Sequence, residues 1–331
     1  MIRDIMIGTA IGDALGVPVE FQSRSIIALS PITDMIGNGT HQQPAGTWSD
    51  DSSLMLGLVS MLSQGYDLQI LATNFIKWKY NAEFTAHGNV FDIGIATSTS
   101  IGNLVNSDLP PEQCGLSDFS SNGNGSLMRI LPILNYTKMM TPDKRFKTVS
   151  DVSSLTHGHI ISKIACFYLV EFALNLNIIK FLNTHVGYSA FIEAQKLTKN
   201  RFISLFKTGF LKEHLSLEVK NAFYRVLLDV HDIHTLPIEY IDSGGYVMDT
   251  LEASIWCLCN SSSYEEAVLM AVNLGDDTDT TGAVTGALAG LYYGIDRIPK
   301  KWVNQLCNYK LLNNVITNYE LSINIFGNDC D

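Results

Sequence analysis

The chain has 331 residues, 46% apolar and 17% charged, which excludes a disordered polymer and leaves ample material for a core in one large domain or two ordinary ones. Acidic side chains outnumber basic ones 33 to 22, a formal net charge of −11. That balance argues against a nucleic-acid backbone as the main partner, because phosphate binding needs clustered Lys and Arg. In chain order, apolar spacing near 3.6 and good helix formers predict helices over 2–16, 52–64, 68–80, 90–105, 125–134, 158–176, 188–207, 216–230, 246–259, 263–273 and 281–293. Gly, Asn, Asp and Pro mark loops at 30–47, 106–124, 137–151 and 234–245. Strand-like alternation is nearly absent, and no repeat, low-complexity tract or linker divides the chain. The expectation is an all-α fold in one domain spanning 1–331.

The apolar run from 5 to 12 is bracketed by Asp4 and Asp13 and no cleavage site follows it, so no signal peptide is expected. The apolar stretch of about 13 residues after Thr281 is too short to span a bilayer. These readings lead to the expectation of a cytoplasmic protein with no membrane partner. The cysteines are scattered except for Cys257 and Cys259, whose spacing on a helix makes a poor metal clip, so buried free thiols are expected. Gly8, Gly12 and Gly16 repeat at i+4 on the first helix, as do Gly282, Gly286 and Gly290 on the last. Each costs about 1 kcal/mol of helix propensity against Ala. Close backbone approach would compensate for that cost, so both helices should run through the centre of the bundle.

Two acidic clusters, each opening a helix, carry the clearest chemistry. Ser49-Asp50-Asp51 precedes the first helix after the 30–47 loop, and Asp276-Asp277-Thr278-Asp279-Thr280 precedes the glycine-striped one. One carboxylate satisfies a helix N-terminus; three within four residues overshoot that need. Adjacent carboxylates repel by roughly 4 kcal/mol at about 4 Å and an effective dielectric near 20. A hard divalent cation relieves that repulsion, and carboxylate and hydroxyl oxygens suit Mg²⁺ or Mn²⁺. An EF-hand read from Asp277 fails, since its twelfth position is Leu288. The aspartate-nucleophile pattern of a phosphatase superfamily fits Asp277-x-Asp279 in letters but belongs after a strand. If folding brings the two clusters together, Asp50, Asp51, Asp277 and Asp279 could hold two ions, with Ser49 and Thr280 completing the coordination.

Other segments carry weaker signals. Glu20 follows Gly16-Val17-Pro18-Val19, where an apolar neighbourhood should raise its pKa; Asp13 reads as structural. Gly123-Asn124-Gly125-Ser126 enters a predicted helix and could present N–H groups to an anion. Asp92, His157 and Tyr246 have no role assignable from local context alone.

Taken together and in this order, Gly12-Asp13-Ala14-Leu15-Gly16 with Glu20, Trp48-Ser49-Asp50-Asp51, Asp92-Ile93-Gly94, Gly123–Arg129, Thr156-His157 and Gly275–Thr280 resemble the ADP-ribosylglycohydrolase family, also called the dinitrogenase reductase-activating glycohydrolase family. The likeness covers about residues 4 to 295, leaving 296–331 as a C-terminal extension of the same domain. The resemblance implies a compact orthogonal helical bundle around a binuclear Mg²⁺ or Mn²⁺ centre. It implies hydrolysis of the bond joining ADP-ribose to a protein side chain, with an ADP-ribosylated protein as substrate and ADP-ribose as product, by a chain expected to be monomeric.

By position, Ser49, Asp50, Asp51, Asp277, Asp279 and Thr280 match the family's metal ligands, and Glu20 matches its catalytic-region glutamate. Asp277 is also placed among the catalytic carboxylates. Gly123, Asn124, Gly125 and Ser126 match a pyrophosphate-binding segment, His157 a substrate-contacting histidine and Tyr246 an aromatic beside the adenosine. Asp92 matches an aspartate of the arginine-specific branch, which makes arginine the expected linkage; serine-linked or non-protein ADP-ribose and a non-catalytic binding role are the alternatives. Two departures stand out: Ser49 where Thr is usual, and Asp276 where Gly is usual. Asp276 could be an extra base beside the metals or surface charge, and residues 176–243 could select the modified protein.

Overall fold

The computed structural model describes residues 1–182, 186–227 and 233–326, and among these the chain forms helices, turns and short 3₁₀ segments, with no strand. The helices of nine or more residues are α1 (Ile2–Gly16), α2 (Asp50–Leu62), α3 (Leu68–Asn81), α4 (Ile95–Asn106), α5 (Pro142–Ser154), α6 (Ile160–Leu182), α7 (Tyr188–Lys207), α8 (Val247–Cys259), α9 (Tyr264–Val272), α10 (Thr278–Tyr293) and α11 (Tyr309–Phe326).

At the centre, α1 and α10 run antiparallel with their glycines facing. Gly8 meets Gly286 and Gly12 meets Gly282; a methyl group on Gly282 would stand 2.5 Å from the Gly12 carbonyl oxygen. The two glycine stripes are therefore one contact, in which backbone touches backbone without intervening side chains. Because the pair is antiparallel, the C-terminus of α1 lies beside the N-terminus of α10, and Thr278 Oγ1 donates to the Gly16 carbonyl at 2.8 Å. From the same end of α1, the buried Asp13 carboxylate reaches α2. It accepts from Ser49 N at 2.8 Å, Ser52 N at 3.0 Å and Ser52 Oγ at 2.6 Å. Asp13 thus supplements the N-cap of α2 from another helix, satisfying N–H groups that a helix start leaves free.

Around this centre, α6 is long and apolar enough to cross a membrane by length and composition, but 78% of that stretch is buried inside the fold. An ion-pair group centred on the buried Glu171 ties α5, α6 and α7: Glu171 pairs with the buried Arg145 and, at 2.7 Å, with Arg201. Arg145 also donates to the carbonyls of Thr137 and Met140. The segment after 296 joins the same core through Trp302, Leu312, Ile316 and Tyr319, all buried. Cys114, Cys166, Cys257 and Cys259 are buried and Cys307 is half-buried, and none of the five is in a disulfide; Cys330 lies outside the described residues.

The elements differ from the sequence expectation in five places, one of them α11, an 18-residue helix beyond the last one expected. The loop expected at 137–151 contains α5, whose polar residues hide a helix that opens on Pro142, a residue suited to a first turn. The helix expected over 125–134 is instead a chain of 3₁₀ turns, Asn124–Ser126 and Leu131–Ile133, followed by Leu134–Thr137; Pro132 lacks the N–H that a continuous helix needs. The helix expected from 90 begins at Ile95, after Asp92 in a left-handed conformation with φ 50°. The helix expected over 216–230 is divided into Leu217–Ala222 and Tyr224–Leu227, and residues 228–230 of that expectation lie outside the described residues.

The glycine contact makes a direct prediction. Gly286→Ala, whose methyl would collide with the Gly8 carbonyl oxygen, should destabilise the fold by about 2 kcal/mol or more. Gly102→Ala on α4, where a methyl meets open space, should stabilise it by about 0.5–1 kcal/mol. Urea denaturation of both variants checks the pair.

Candidate active site

The N-termini of α2 and α10 converge beside the end of α1 and bring the two acidic clusters together. Ser49 is the N-cap of α2; its hydroxyl donates to Asp51 Oδ2 at 2.9 Å and also lies 3.4 Å from the Asp51 amide. Asp277 is the N-cap of α10, with Asp279 and Thr280 in the first turn, and Thr280 N donates to Asp279 Oδ1 at 2.9 Å. Carboxylate oxygens of Asp13, Asp51 and Asp279 lie within 4.8 Å of one another, as do those of Glu20, Asp277 and Asp279. Asp279 belongs to both groups.

Electrostatics make this arrangement costly for the protein alone. Burial, then neighbouring carboxylates, push Asp50, Asp51 and Asp279 well above the usual range. Burial also raises Asp277, and it lifts Asp13 to about 7 against the opposing hydrogen bonds from Ser52 and Ser49. Asp51 Oδ1, Asp277 Oδ1 and Asp279 Oδ2 are buried without a hydrogen-bond partner. Buried acceptors of this kind are expensive to leave unsatisfied. Hard cations satisfy such oxygens and cancel their charge, so the donor set fits Mg²⁺ or Mn²⁺.

Above the acids opens a cleft of about 240 Å³ lined by Glu20, Asp50, Asp92, Gly123, Asn124, Gly125, His157, Asp277 and Thr280, among others. Ser49, Asp51 and Asp279 are buried beside it. Glu20 follows the 3₁₀ turn Val17–Val19 and is held by its backbone: Thr40 Oγ1 donates to its carbonyl at 2.7 Å, and Phe21 N donates to Asp276 O at 2.7 Å. Its carboxyl is pushed up to about 10, first by burial and then by Asp92, Asp277 and Asp51. The desolvation expected from its apolar neighbours is present, and the nearby carboxylates add to it.

The Gly-rich segment forms one wall. Asn124 N donates to Gly245 O and Val247 N to Asn122 O, both at 3.0 Å, so 122–124 pairs with 245–247. The Asn124 amide donates to Asp277 Oδ2 and to Thr250 Oγ1, each at 2.8 Å, which commits that side chain to fixing a carboxylate. Ser126 does not line the cleft. It is fully buried, with its hydroxyl against Ser153 and Cys166. Tyr246 faces a neighbouring cleft of about 360 Å³ with Phe119, Glu218, Arg225 and Asp249. The 217–225 stretch of the 176–243 segment therefore borders the site.

His157 is buried and lowered to about 3 by burial and by Arg129. Arg129 donates to Thr156 Oγ1 at 2.7 Å and to Gly125 O at 2.7 Å, and Thr156 Oγ1 lies 2.8 Å from His157 Nδ1. With its oxygen accepting from Arg129, the Thr156 hydroxyl gives its proton to Nδ1. His157 is then neutral, with Nε2–H as a donor beside Gly123 and Gly125.

Sequence reasoning missed Arg129, which orders the loop and the histidine together. It lay within a quoted motif, but its burial against the Phe75 ring has no local signature. Asp276 resolves differently: it is exposed, at φ 60°, and its backbone N and O bond to Gln22 and Phe21. The position needs a left-handed backbone, which explains why Gly suits it and Asp is tolerated. Its carboxylate is surface charge.

The sequence profile of the ADP-ribosylglycohydrolase family matches residues 1–325. The chain belongs to that family. Among its relatives, an ADP-ribosylarginine hydrolase Tri1 of Pseudomonas putida (strain GB-1) is 30% identical over 92% of this chain and 73% of its own length. An ADP-ribosyl-[dinitrogen reductase] glycohydrolase of Rhodospirillum rubrum is 26% identical over 91% and 88%. A solved structure, described as an ADP-ribosylglycohydrolase-related protein complex, superimposes with TM-score 0.70 at 26% identity, covering 97% of both chains.

ADP-ribosylglycohydrolases are metal-dependent hydrolases of ADP-ribose glycosidic bonds. In this member, the orphaned carboxylate oxygens are where a metal dependence would reside. Added Mg²⁺ or Mn²⁺ at a hundredfold excess over its Kd should raise Tm by roughly 5 °C, and Asp51→Asn or Asp279→Asn should abolish the shift in differential scanning fluorimetry. His157 sets a pH dependence of opposite origin. The unfolded chain protonates it near 6.5 and the folded chain only near 3, so folding is opposed as pH falls through that interval. Relative to His157→Asn, the wild type should lose up to about 1.4 kcal/mol of stability per pH unit there, and the difference should be flat above pH 7.

Proposed function

We propose that the protein removes ADP-ribose from a modified arginine side chain, with Asp50, Asp51, Asp277, Asp279, Ser49 and Thr280 holding two Mg²⁺ or Mn²⁺ ions. The observation that carries this reading is the placement of Asp92 beside Glu20 in the cleft, with oxygens of Glu20, Asp92 and His41 Nε2 clustered within 4.8 Å. A guanidinium entering there meets a carboxylate able to pair with it through charge-assisted hydrogen bonds. The relative named as an ADP-ribosylarginine hydrolase supports the same linkage.

Bound divalent ions would supply charge neutralisation and Lewis-acid polarisation at the ribose hydroxyls. The remaining work falls to the chain. The N–H groups of Gly123 and Gly125 and the neutral His157 Nε2–H face the pyrophosphate, so binding energy far from the reacting carbon fixes its position. Tyr246 and the neighbouring cleft take the adenosine end. In the reaction, the bond from C1″ to the guanidine nitrogen breaks as water oxygen bonds to C1″. Water loses one proton and the departing nitrogen gains one, so a single carboxyl can move both. Glu20 suits this role because burial and the neighbouring carboxyls raise its pKa, so that it can hold a proton at neutral pH. Asp92 steadies the guanidinium as it leaves.

The test is release of free ADP-ribose from an arginine-ADP-ribosylated protein. Wild type should release it with Mg²⁺ and not with EDTA. Glu20→Gln should lose at least about 100-fold in kcat, and Asp92→Asn should weaken turnover of the arginine linkage. Release only from serine-linked or free ADP-ribose conjugates would sink the arginine reading while keeping the hydrolase.

A further inference from the structure

We infer that His41 is a positioning residue for Glu20, a role that rests on the reaction proposed above. His41 ends the 3₁₀ turn Gly39–His41 at the tip of the 37–46 loop. Its Nε2 meets Glu20 Oε2 directly. The turn bearing it is docked on the segment that carries Glu20: a methyl at Gly39 would overlap the Pro18 carbonyl, and Thr40 Oγ1 donates to Glu20 O at 2.7 Å. The His41 ring lies between two phenylalanines, its centroid 5.9 Å from Phe21 and 5.3 Å from Phe91. Phe21 follows Glu20 in the chain and Phe91 precedes Asp92, so the imidazole is braced by the two segments that bring the candidate catalytic carboxylates together.

The backbone around His41 is unusual. Asn38, Gly39 and Gln42 have φ of 67°, 63° and 53°. Two of these are non-glycine residues in the left-handed region, a conformation L-residues rarely adopt without a compensating constraint. The loop is closed by Asn38 N donating to Gln43 O at 2.6 Å, and the Gln43 amide donates to His41 O at 3.1 Å. The result is a rigid turn whose tip presents one imidazole nitrogen to one carboxyl oxygen.

That contact solves a problem specific to Glu20. The other groups acting most strongly on its carboxyl are Asp92, Asp277 and Asp51, carboxyl groups like itself. His41 Nε2 supplies a hydrogen-bond partner from outside the acidic set. Holding Oε2 fixes the carboxyl plane and leaves Oε1 for the water and the departing nitrogen.

The experiment compares His41→Ala and His41→Gln, whose amide can reach the same oxygen, with wild type in the full chain loaded with Mg²⁺. The expected result is a loss of roughly 10- to 100-fold in kcat for His41→Ala, with KM, ADP-ribose Kd, Mg²⁺ stoichiometry and Tm near wild type, and recovery of most of kcat in His41→Gln. An unchanged kcat, a matching loss of ADP-ribose or Mg²⁺ binding, or no rescue by Gln would overturn the role. A second readout is independent of turnover: the ¹⁵N NMR signal of His41 Nε2 should shift in Glu20→Gln. If wild type cleaves no ADP-ribose linkage, the reaction proposed above fails, and an NMR signal indifferent to Glu20→Gln separately overturns the His41 contact.

Discussion

The backbone contact between α1 and α10 is the constraint on which the site depends. Opposed glycines let the two helices approach until the carbonyls of one occupy the space a Cβ would need on the other. Small residues permit such close packing of helices, and the approach brings Cα–H groups near carbonyl oxygens. The chemical value of the contact lies at its end. Antiparallel pairing sets the C-terminus of α1 against the first turn of α10, and Asp13 draws in the first turn of α2. Two helix N-termini then point at one volume, and the partial positive charge of each favours the carboxylates gathered there.

Helix ends offset only part of the repulsion among those carboxylates. Asp51, Asp277 and Asp279 each retain a buried oxygen with no partner, and burial raises all three pKa values. A core built for stability alone would replace such a cluster with apolar side chains of similar volume. The surrounding packing instead holds the acids in place: Asn124 fixes Asp277, and Ser49 fixes Asp51. A metal-free protein in this conformation is preorganised for cations, at the expense of its own folding free energy.

This division explains what the sequence disclosed. The acidic helix starts were legible because capping and ligand chemistry are local: three acids within four residues exceed what a helix end requires. The glycine stripes were legible because each glycine opposes its own helix. The α5 helix was not, since its polar residues carry a turn-like composition and its anchor, Arg145, finds Glu171 on another helix. Nor were the partners of His157, because Arg129 and Thr156 act on it through tertiary contacts. The roles of Ser126 and Asn124 shifted for a related reason. Spacing places a residue in a loop, but packing decides whether its side chain faces the cleft or the core.

Local rules fail most visibly around Glu20. Among the described residues, eight non-glycines have positive φ, and five of them, Phe21, Asn38, Gln42, Asp92 and Asp276, lie in the segments that carry or brace Glu20 and Asp92. Left-handed backbone at such residues persists only where surrounding contacts over-determine it. Here those contacts are visible: Asp276 bonds through its backbone to Phe21 and Gln22, and Asn38 bonds to Gln43. The same departures that hide these loops from propensity arguments hold the two carboxylates together over the acidic cluster. Local and global preference disagree at the mouth of the cleft as they do in the glycine-paired helices beneath it, where each glycine opposes its own helix and the tertiary contact outweighs that cost.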